Sequence, residues 1–476
     1  MVKMIPEDIL LEIFDFYRLW AMEHQGQSWR WRHLTRVCKK WRKVISLSPR
    51  RLDLRILCEY RSPIENILHS WPNLPVVVGP DAHPWISDLG QDLDTSMPRN
   101  IMVALRHPAR LCEITLNMKK SWTGPIVEML PNPCQALERI RITVNDATGP
   151  SILIHNAFLG GSALRLREIE LDGISFPFLE IRRVLLSTDN LIELHLSKIP
   201  HAAYFSPDDL VTGLSTLVQL ESLTVDFHSP ASSPPFGTTR RPLQSTSLPS
   251  LESFYFHGTS EYLEDFVSRI ELPVLRKITL RIFNQIFFDL PQFSQSIPHL
   301  KALESPTHLR ITHSAKLVSI VFFRETVMGH SIRICSFETS CRRLDWQLSF
   351  VTQILSPLSF LLSRAVCVII ETNRGIPTGE EDMDSTQWLE LFRSFTHVKE
   401  VRVMEAQLVP SIVQALATEA TATGVLPGLS RLYLHDFGRS PFVSDAAQQF
   451  VSIRSLSGRP VSLFGRTRET KPLLFS

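Results

Sequence analysis

The chain has no uninterrupted apolar stretch near the roughly 18 residues that a membrane helix needs. The longest contender, FLLSRAVCVII at 360–370, is broken by Arg364. The opening residues MVKMIPEDIL hold Glu7 and Asp8 and no long apolar core, so no signal peptide is expected. Cysteine is sparse and odd in number: Cys38, Cys58, Cys112, Cys134, Cys335, Cys341 and Cys367. They are scattered, mostly among apolar neighbours. That argues against a disulfide framework and for a reducing compartment, with cytosol or nucleus as the expected location. A surplus of one charge is lacking too. Fifty Lys and Arg face 48 Asp and Glu, a formal net charge of +2, so any polyanion binding must be local.

Catalytic signatures are also missing. There is no Gly-rich phosphate loop and no Gly-x-Ser-x-Gly elbow; FLGGSAL reads as a turn. Cys335 and Cys341 are too far apart for a Cys-x-x-Cys pair, and no His cluster completes a zinc site. His308 and His313, five apart, do not share a helix face. RGIPTGEEDMDS at 374–385 lacks calcium-loop spacing and reads as a solvated loop. No enzymatic activity, cofactor or metal is expected. What remains is an ordinary globular composition, 44% hydrophobic and 21% charged over 476 residues. That length accommodates about two or three average domains or one long repeat domain.

The first fifty residues are amphipathic. In IPEDILLEIFDFY, residues Ile5, Ile9, Leu10, Ile13, Phe14 and Tyr17 form a wide apolar stripe at helical spacing. Pro6 suits a first helical position, and Glu7 and Asp8 complement the dipole there. LTRVCKKWRKVI at 34–45 sets Leu34, Val37, Cys38, Trp41 and Ile45 at helical spacing among five basic residues. So small a helical segment buries too little surface to stand comfortably alone. Its stripes are wide enough for an internal contact and a partner, which points to protein docking.

Residues 5–54 resemble an F-box. Ile5-Pro6 stands for the family's opening Leu-Pro; Ile9, Leu10, Ile13 and Phe14 match its Ile-Leu-x-x-Ile-Phe. Val37, Cys38, Lys39, Trp41 and Arg42 match its Val-Cys-Lys-x-Trp-Arg. The resemblance implies docking on the Skp adaptor of a cullin-RING ubiquitin ligase, through Ile5, Pro6, Ile9, Leu10, Ile13, Phe14, Leu34, Val37, Cys38 and Trp41. One departure is the segment RLWAMEHQGQSWRWRH between Tyr17 and Leu34, longer than the usual inter-helix loop. The basic cluster from Arg30 to Arg55 has ten Lys or Arg and one acid, Asp53. Clustered charge suits phosphate, and WRWR offers faces for base stacking. No recognisable nucleic-acid fold accompanies it, and the family's acidic adaptor is another partner for those charges.

The rest of the chain repeats. The pattern apolar-x-x-apolar-x-apolar starts at Leu111, Leu137, Leu166, Leu191, Leu220, Leu251 and Leu275, with starts 26, 29, 25, 29, 31 and 24 apart. It returns at Val398 and Leu429. Each copy predicts a strand whose apolar set faces inward, followed by a helix such as SPDDLVTGLSTLVQ or SEYLEDFVSRI. Units this small bury their apolar faces only by stacking. The pattern fades between Leu275 and Val398, where LESPTHLRITHSAKLVSIVFF and LLSRAVCVII read as weaker strands.

This resembles leucine-rich repeats in divergent form. Of the positions three after the third apolar residue, Asn145 carries the usual asparagine, whereas Ile174, Ile199 and Phe283 do not. The combination is similar to a large set of fungal F-box proteins, on phrases such as FLGGSALRLREIELDGISFPF, SEYLEDFVSRIELPVLRKITL and STQWLELFRSFTHVKEVRV. The expected fold is α/β: an all-helical F-box over 1–58, a connector and cap over 59–110, and a divergent repeat solenoid with a curved parallel sheet over 111–470. A Pro- and Ser-rich insertion is expected at 229–250. The function implied is a non-catalytic substrate receptor of a Skp–cullin–F-box ubiquitin ligase, with the Skp adaptor, the cullin scaffold and a protein target as partners. The alternatives are a non-ligase scaffold with a degenerate F-box and a nucleic-acid-associated regulator. Target contacts are expected at the outward strand positions Glu168, Glu170, Glu193, His195, Tyr255, His257, Lys277, Arg281, Arg402 and Tyr433.

Overall fold

The computed structural model of the chain describes residues 5–25, 31–48, 51–58, 63–79, 96–118, 128, 130, 132–144, 152–153, 158–200, 203–228, 245–283, 290–296, 306–325, 330–341, 344–373, 385–418, 425–435, 441–466 and 473–475. Asn145, residues 229–244 of the expected insertion and residues 374–384 of the acidic loop lie outside these. The chain divides into two compact units, Met1–Leu220 and Glu221–Ser476.

The first unit opens with three helices: α1 (Glu7–Gln25), α2 (Trp31–Val37) and α3 (Lys39–Leu47). Pro6 precedes α1, its carbonyl accepting the Leu10 N–H, and Glu7 and Asp8 fill the first turn. One expectation changes here. The long inter-helix loop is instead mostly helix, since α1 continues to Gln25; Leu19, Trp20, Ala21 and Met22 favour helix, and no Gly or Pro interrupts before Gly26. The basic segment 34–45 is two helices. Cys38 takes extended angles (φ −160°, ψ 169°), and its sulfur accepts the Trp41 N–H at 3.5 Å as the cap of α3.

In chain order the helices are followed by a parallel sheet: β1 (Ile56–Cys58), β2 (Val76–Val78), β3 (Leu111–Met118), β4 (Arg139–Val144), β5 (Glu168–Asp172) and β6 (Glu193–Ile199), each paired with the next. The connector therefore already carries sheet: β1 lies inside the span expected for the helical module, and β2, with α4 (Ile64–Ser70) and α5 (Ser96–Leu105), inside the expected cap. The helix α6 (Phe178–Leu186) follows β5, and α7 (Pro207–Leu214) follows β6. The inward residues Ile114, Ile140, Ile169 and Leu194 have no exposure, as the alternation requires.

The second unit has β7 (Ser222–Phe227), β8 (Ser253–Gly258), β9 (Lys277–Ile282), β10 (His308–His313), β11 (Leu317–Glu325), β12 (Ser331–Ser340), β13 (Cys367–Thr372), β14 (Glu400–Val403), β15 (Arg431–His435), β16 (Ser462–Arg466) and β17 (Leu473–Phe475). All nine copies of the apolar pattern fall on or enter a strand. Helices α8 (Ser260–Val267), α9 (Pro291–Ser296), α10 (Leu344–Leu355), α11 (Ser359–Leu362), α12 (Ser385–Arg393), α13 (Val409–Thr418) and α14 (Pro441–Leu456) fill the return legs.

The spatial order departs from chain order where the repeat fades. It runs β7, β8, β9, β12, β11, β10, β13, β14, β15, β16, β17. Residues 314–316 join β10 to β11, and 326–330 join β11 to β12. A parallel crossover needs a dozen or more residues, so both links force antiparallel pairing. β11 runs against its neighbours, and β9 and β13 pair in parallel with the outer members of the insert.

Candidate docking faces

Two surfaces stand out. The first belongs to the three helices. Leu10, Leu11, Phe14, Leu34, Val44 and Ile45 are buried. The Phe14 and Trp41 rings meet edge-on at 4.9 Å, and Trp41 is half-buried with its indole nitrogen unpartnered. Arg51 ties back to Glu12 at 2.5 Å, and Lys40 to the Ile5 carbonyl. Leu10, Phe14 and Leu34 are thus interior packing and not surface, a correction to their expected place in a docking face; their stripe is used up within the module.

A second stripe is exposed. Ile9, Ile13, Phe16 and Trp20, spaced by four, three and four, are 51%, 42%, 72% and 38% exposed. That spacing puts them on one side of α1. Leu19, Val37 and Leu47 are exposed as well. Among the described residues, seven of the sixteen exposed large apolar side chains lie between positions 9 and 47. Apolar surface is seldom concentrated this way without a partner for it. Ile5 and Cys38 are half-buried and Pro6 is exposed.

The charges nearby are partly committed. Besides Lys40 and Arg51, Arg42 donates to the Thr35 carbonyl at 3.0 Å, and Arg55 pairs with Asp53 and Glu138. Arg30 lies outside the described residues, as do the side chains of Trp31 and Arg32.

The second surface is the outward side of each sheet. In the first unit Glu168 sits beside Glu193, and Glu170 beside His195, in register. Arg141 on β4 binds Glu168 and reaches Glu170 at 3.5 Å. Glu168 is only 7% exposed beneath that guanidinium, so it is a buried ion-pair member and not the free contact expected for it.

In the second unit the expected residues form two groups. His257 lies opposite Arg281, and Tyr255 one row behind; Lys277 stands at the strand entry. His257 Nδ1 meets Asp226 at 2.7 Å, its ring lies against Phe283, and Arg281 pairs with Glu338 on β12. Burial raises the Tyr255 pKa, with Asp226 adding to it against a hydrogen bond from Arg281. Five strand spacings away, roughly 24 Å, Arg402 lies opposite Tyr433. Glu400 accepts from Arg402 and from Arg431 at 2.9 Å. Burial lowers the Arg402 pKa, but the Glu400 hydrogen bond and nearby charges leave it raised overall.

Between these groups β11 and β13 place an apolar cluster on the outward face, Val321 and Phe323 with Cys367 and Ile369. Arg310 lies over the Phe323 ring at 4.9 Å. Sequence reasoning missed Arg310, Phe323, Glu338, Arg431 and Phe464. The parity of KLVSIVFF, four apolar residues in its last five, held the signal that β11 is apolar on both sides. None of the seven cysteines forms a disulfide. Burial pushes Cys112 and Cys134 up to about 11 and Cys367 to about 12, so these thiols stay protonated at neutral pH.

No family model matches the chain, and no curated protein does. Among solved structures, the leucine-rich repeat-containing protein LegL7 from Legionella pneumophila is similar over 72% of this chain and 98% of its own, at 15% identity and a TM-score of 0.30. A TM-score that low decides nothing here. The repeat architecture, strand and helix stacking on a largely parallel sheet, rests on this chain's own registers.

Proposed function

We propose that the chain is the substrate-receptor subunit of a Skp–cullin–F-box ubiquitin ligase. The helices over 7–47 dock on the adaptor, and the outward sheet faces hold a protein target. No bond is made or broken by this chain; it raises the local concentration of target near the ubiquitin-charged enzyme. The observation that carries the reading is the exposure of Ile9, Ile13 and Phe16 on one side of α1, beside a stripe already consumed by packing.

The test is co-purification of the full chain with the adaptor. Ile9→Asp with Ile13→Asp should abolish it, since loss of anchors in a buried contact costs about 2 kcal/mol each. The melting temperature should barely move, because both side chains are exposed. Unchanged adaptor binding by that folded variant would defeat the docking assignment. Trp41→Ala is a poorer probe, because it also removes the ring packed on Phe14.

A second reading is a repeat scaffold outside any ligase. The continuation of α1 to Gln25, beyond the part that matches the F-box pattern, favours it. Absence of adaptor binding by the unsubstituted chain would select it. Nucleic-acid binding is the weaker account of the basic cluster, because Lys40, Arg42, Arg51 and Arg55 are all committed to partners within the chain.

A further inference from the structure

The outward face of the second sheet changes character from one side to the other. Following the registers, one row runs Thr224, Tyr255, Thr279 and Ser336 across β7, β8, β9 and β12. Past Val321, Arg310 and Ile369, the same row continues as Arg402, Tyr433, Phe464 and Leu474 on β14, β15, β16 and β17. Hydroxyls give way to a guanidinium and two rings. In the row beside it, Glu400 is opposite Arg431.

The vertical arrangement of charge matters most. The Glu400 side chain is 5% exposed, while Arg402 and Arg431, which share it, are 41% and 50% exposed. The anion forms the floor and the cations form the surface, with one positive charge in excess among the three. Each guanidinium has five N–H donors and spends only part of them on Glu400. The Arg402 guanidinium also lies 5.5 Å from the Tyr433 ring centre. Tyr433 in turn stacks on Phe464 at 4.5 Å with 12° between the planes. Carboxylate below and ring beside hold the arginine in place before any ligand arrives, so less side-chain entropy is lost on binding. Arginine and tyrosine are also the side chains that most often dominate interface energetics.

We infer that Arg402, Arg431, Tyr433 and Phe464 recognise an acidic peptide segment bearing an aromatic residue. A carboxylate of the segment takes the outer edges of the two guanidiniums, and its ring packs on the solvent side of the Tyr433–Phe464 pair. This rests on the outward sheet face being the target-binding side. The first unit's face has the opposite balance, Glu113, Glu168, Glu170, Asp172 and Glu193 against Arg139, Arg141 and Lys198. Charge therefore directs an acidic segment to β14–β16.

The experiment is fluorescence anisotropy of the full-length chain with three labelled peptides: GEEFEEG, its amide counterpart GQQFQQG, and the ring-less GEEAEEG. GEEFEEG should bind at least tenfold tighter than either. Arg402→Gln with Arg431→Gln should erase the preference for Glu over Gln. That variant leaves Glu400 without its two cations, so Tyr433→Ala serves as a second probe. It keeps both ion pairs and should erase the preference for Phe over Ala. Equal binding of all three peptides to the unsubstituted chain would overturn the inference without any variant. So would tighter binding of oligothymidylate competing for the same site. Loss of peptide binding in Glu170→Gln with Glu193→Gln, and not in the arginine variant, would keep the sheet face as the target side but remove it from β14–β16.

Discussion

His313 shows how one residue's place in a strand sets its chemistry. It lies five positions after His308, and an odd separation along a strand puts the two on opposite faces. His308 faces outward against Phe323, whereas His313 is fully buried beside Trp388, its Nδ1 bonded to Gln347 at 3.0 Å. Burial lowers its pKa from 6.5 to about 4 against the pull of that hydrogen bond. As pH falls below 6.5 the unfolded chain takes the proton first. The stability is therefore intact above 6.5 and is lost progressively down to the folded value. The loss is about 1.4 kcal/mol per pH unit within that window. Urea unfolding at pH 7, 6 and 5 should show this slope, and His313→Gln should flatten it by about one proton's worth. An unchanged slope in the variant would place the titration elsewhere.

At the scale of elements, local signals decided what was legible. SPDDLVTGL announces its own start, and Ser206 and Asp209 form the reciprocal capping box on α7. Ser206→Ala should cost about 1 kcal/mol in chemical denaturation, and a change within error would mean the cap adds nothing in this context. The strand pattern was legible for the same reason: two periodic faces and an apolar entry residue recur in every copy. The insert at β10–β12 was not, because a hairpin strand needs no such entry residue. Its clue lay in link length, three residues at Ser314, Ala315 and Lys316, which is too short for a helix. The extension of α1 was hidden by reading a departure from a family pattern as a loop, although its residues favour helix. Which α1 residues face inward was beyond reach. Ile9 and Leu10 are equally apolar, and only packing against α3 separates a buried stripe from an open one.

For the molecule as a whole, each unit is a strand-and-helix stack, and the first also carries a helical module with more apolar surface than it can bury. The stack was visible as periodicity. The partner is not encoded in any local pattern; the exposed side of α1 and the charges on the sheet faces select it. Charge distribution sharpens them: acidic excess outward on β5 and β6, arginine outward on β14 and β15. Hydrogen exchange of the intact chain with and without purified Skp adaptor tests the central claim most directly. The account predicts slowed exchange over 7–20 and 34–47, with β14–β16 unchanged. Slowing confined to the sheets, or none anywhere at saturating adaptor, would contradict it.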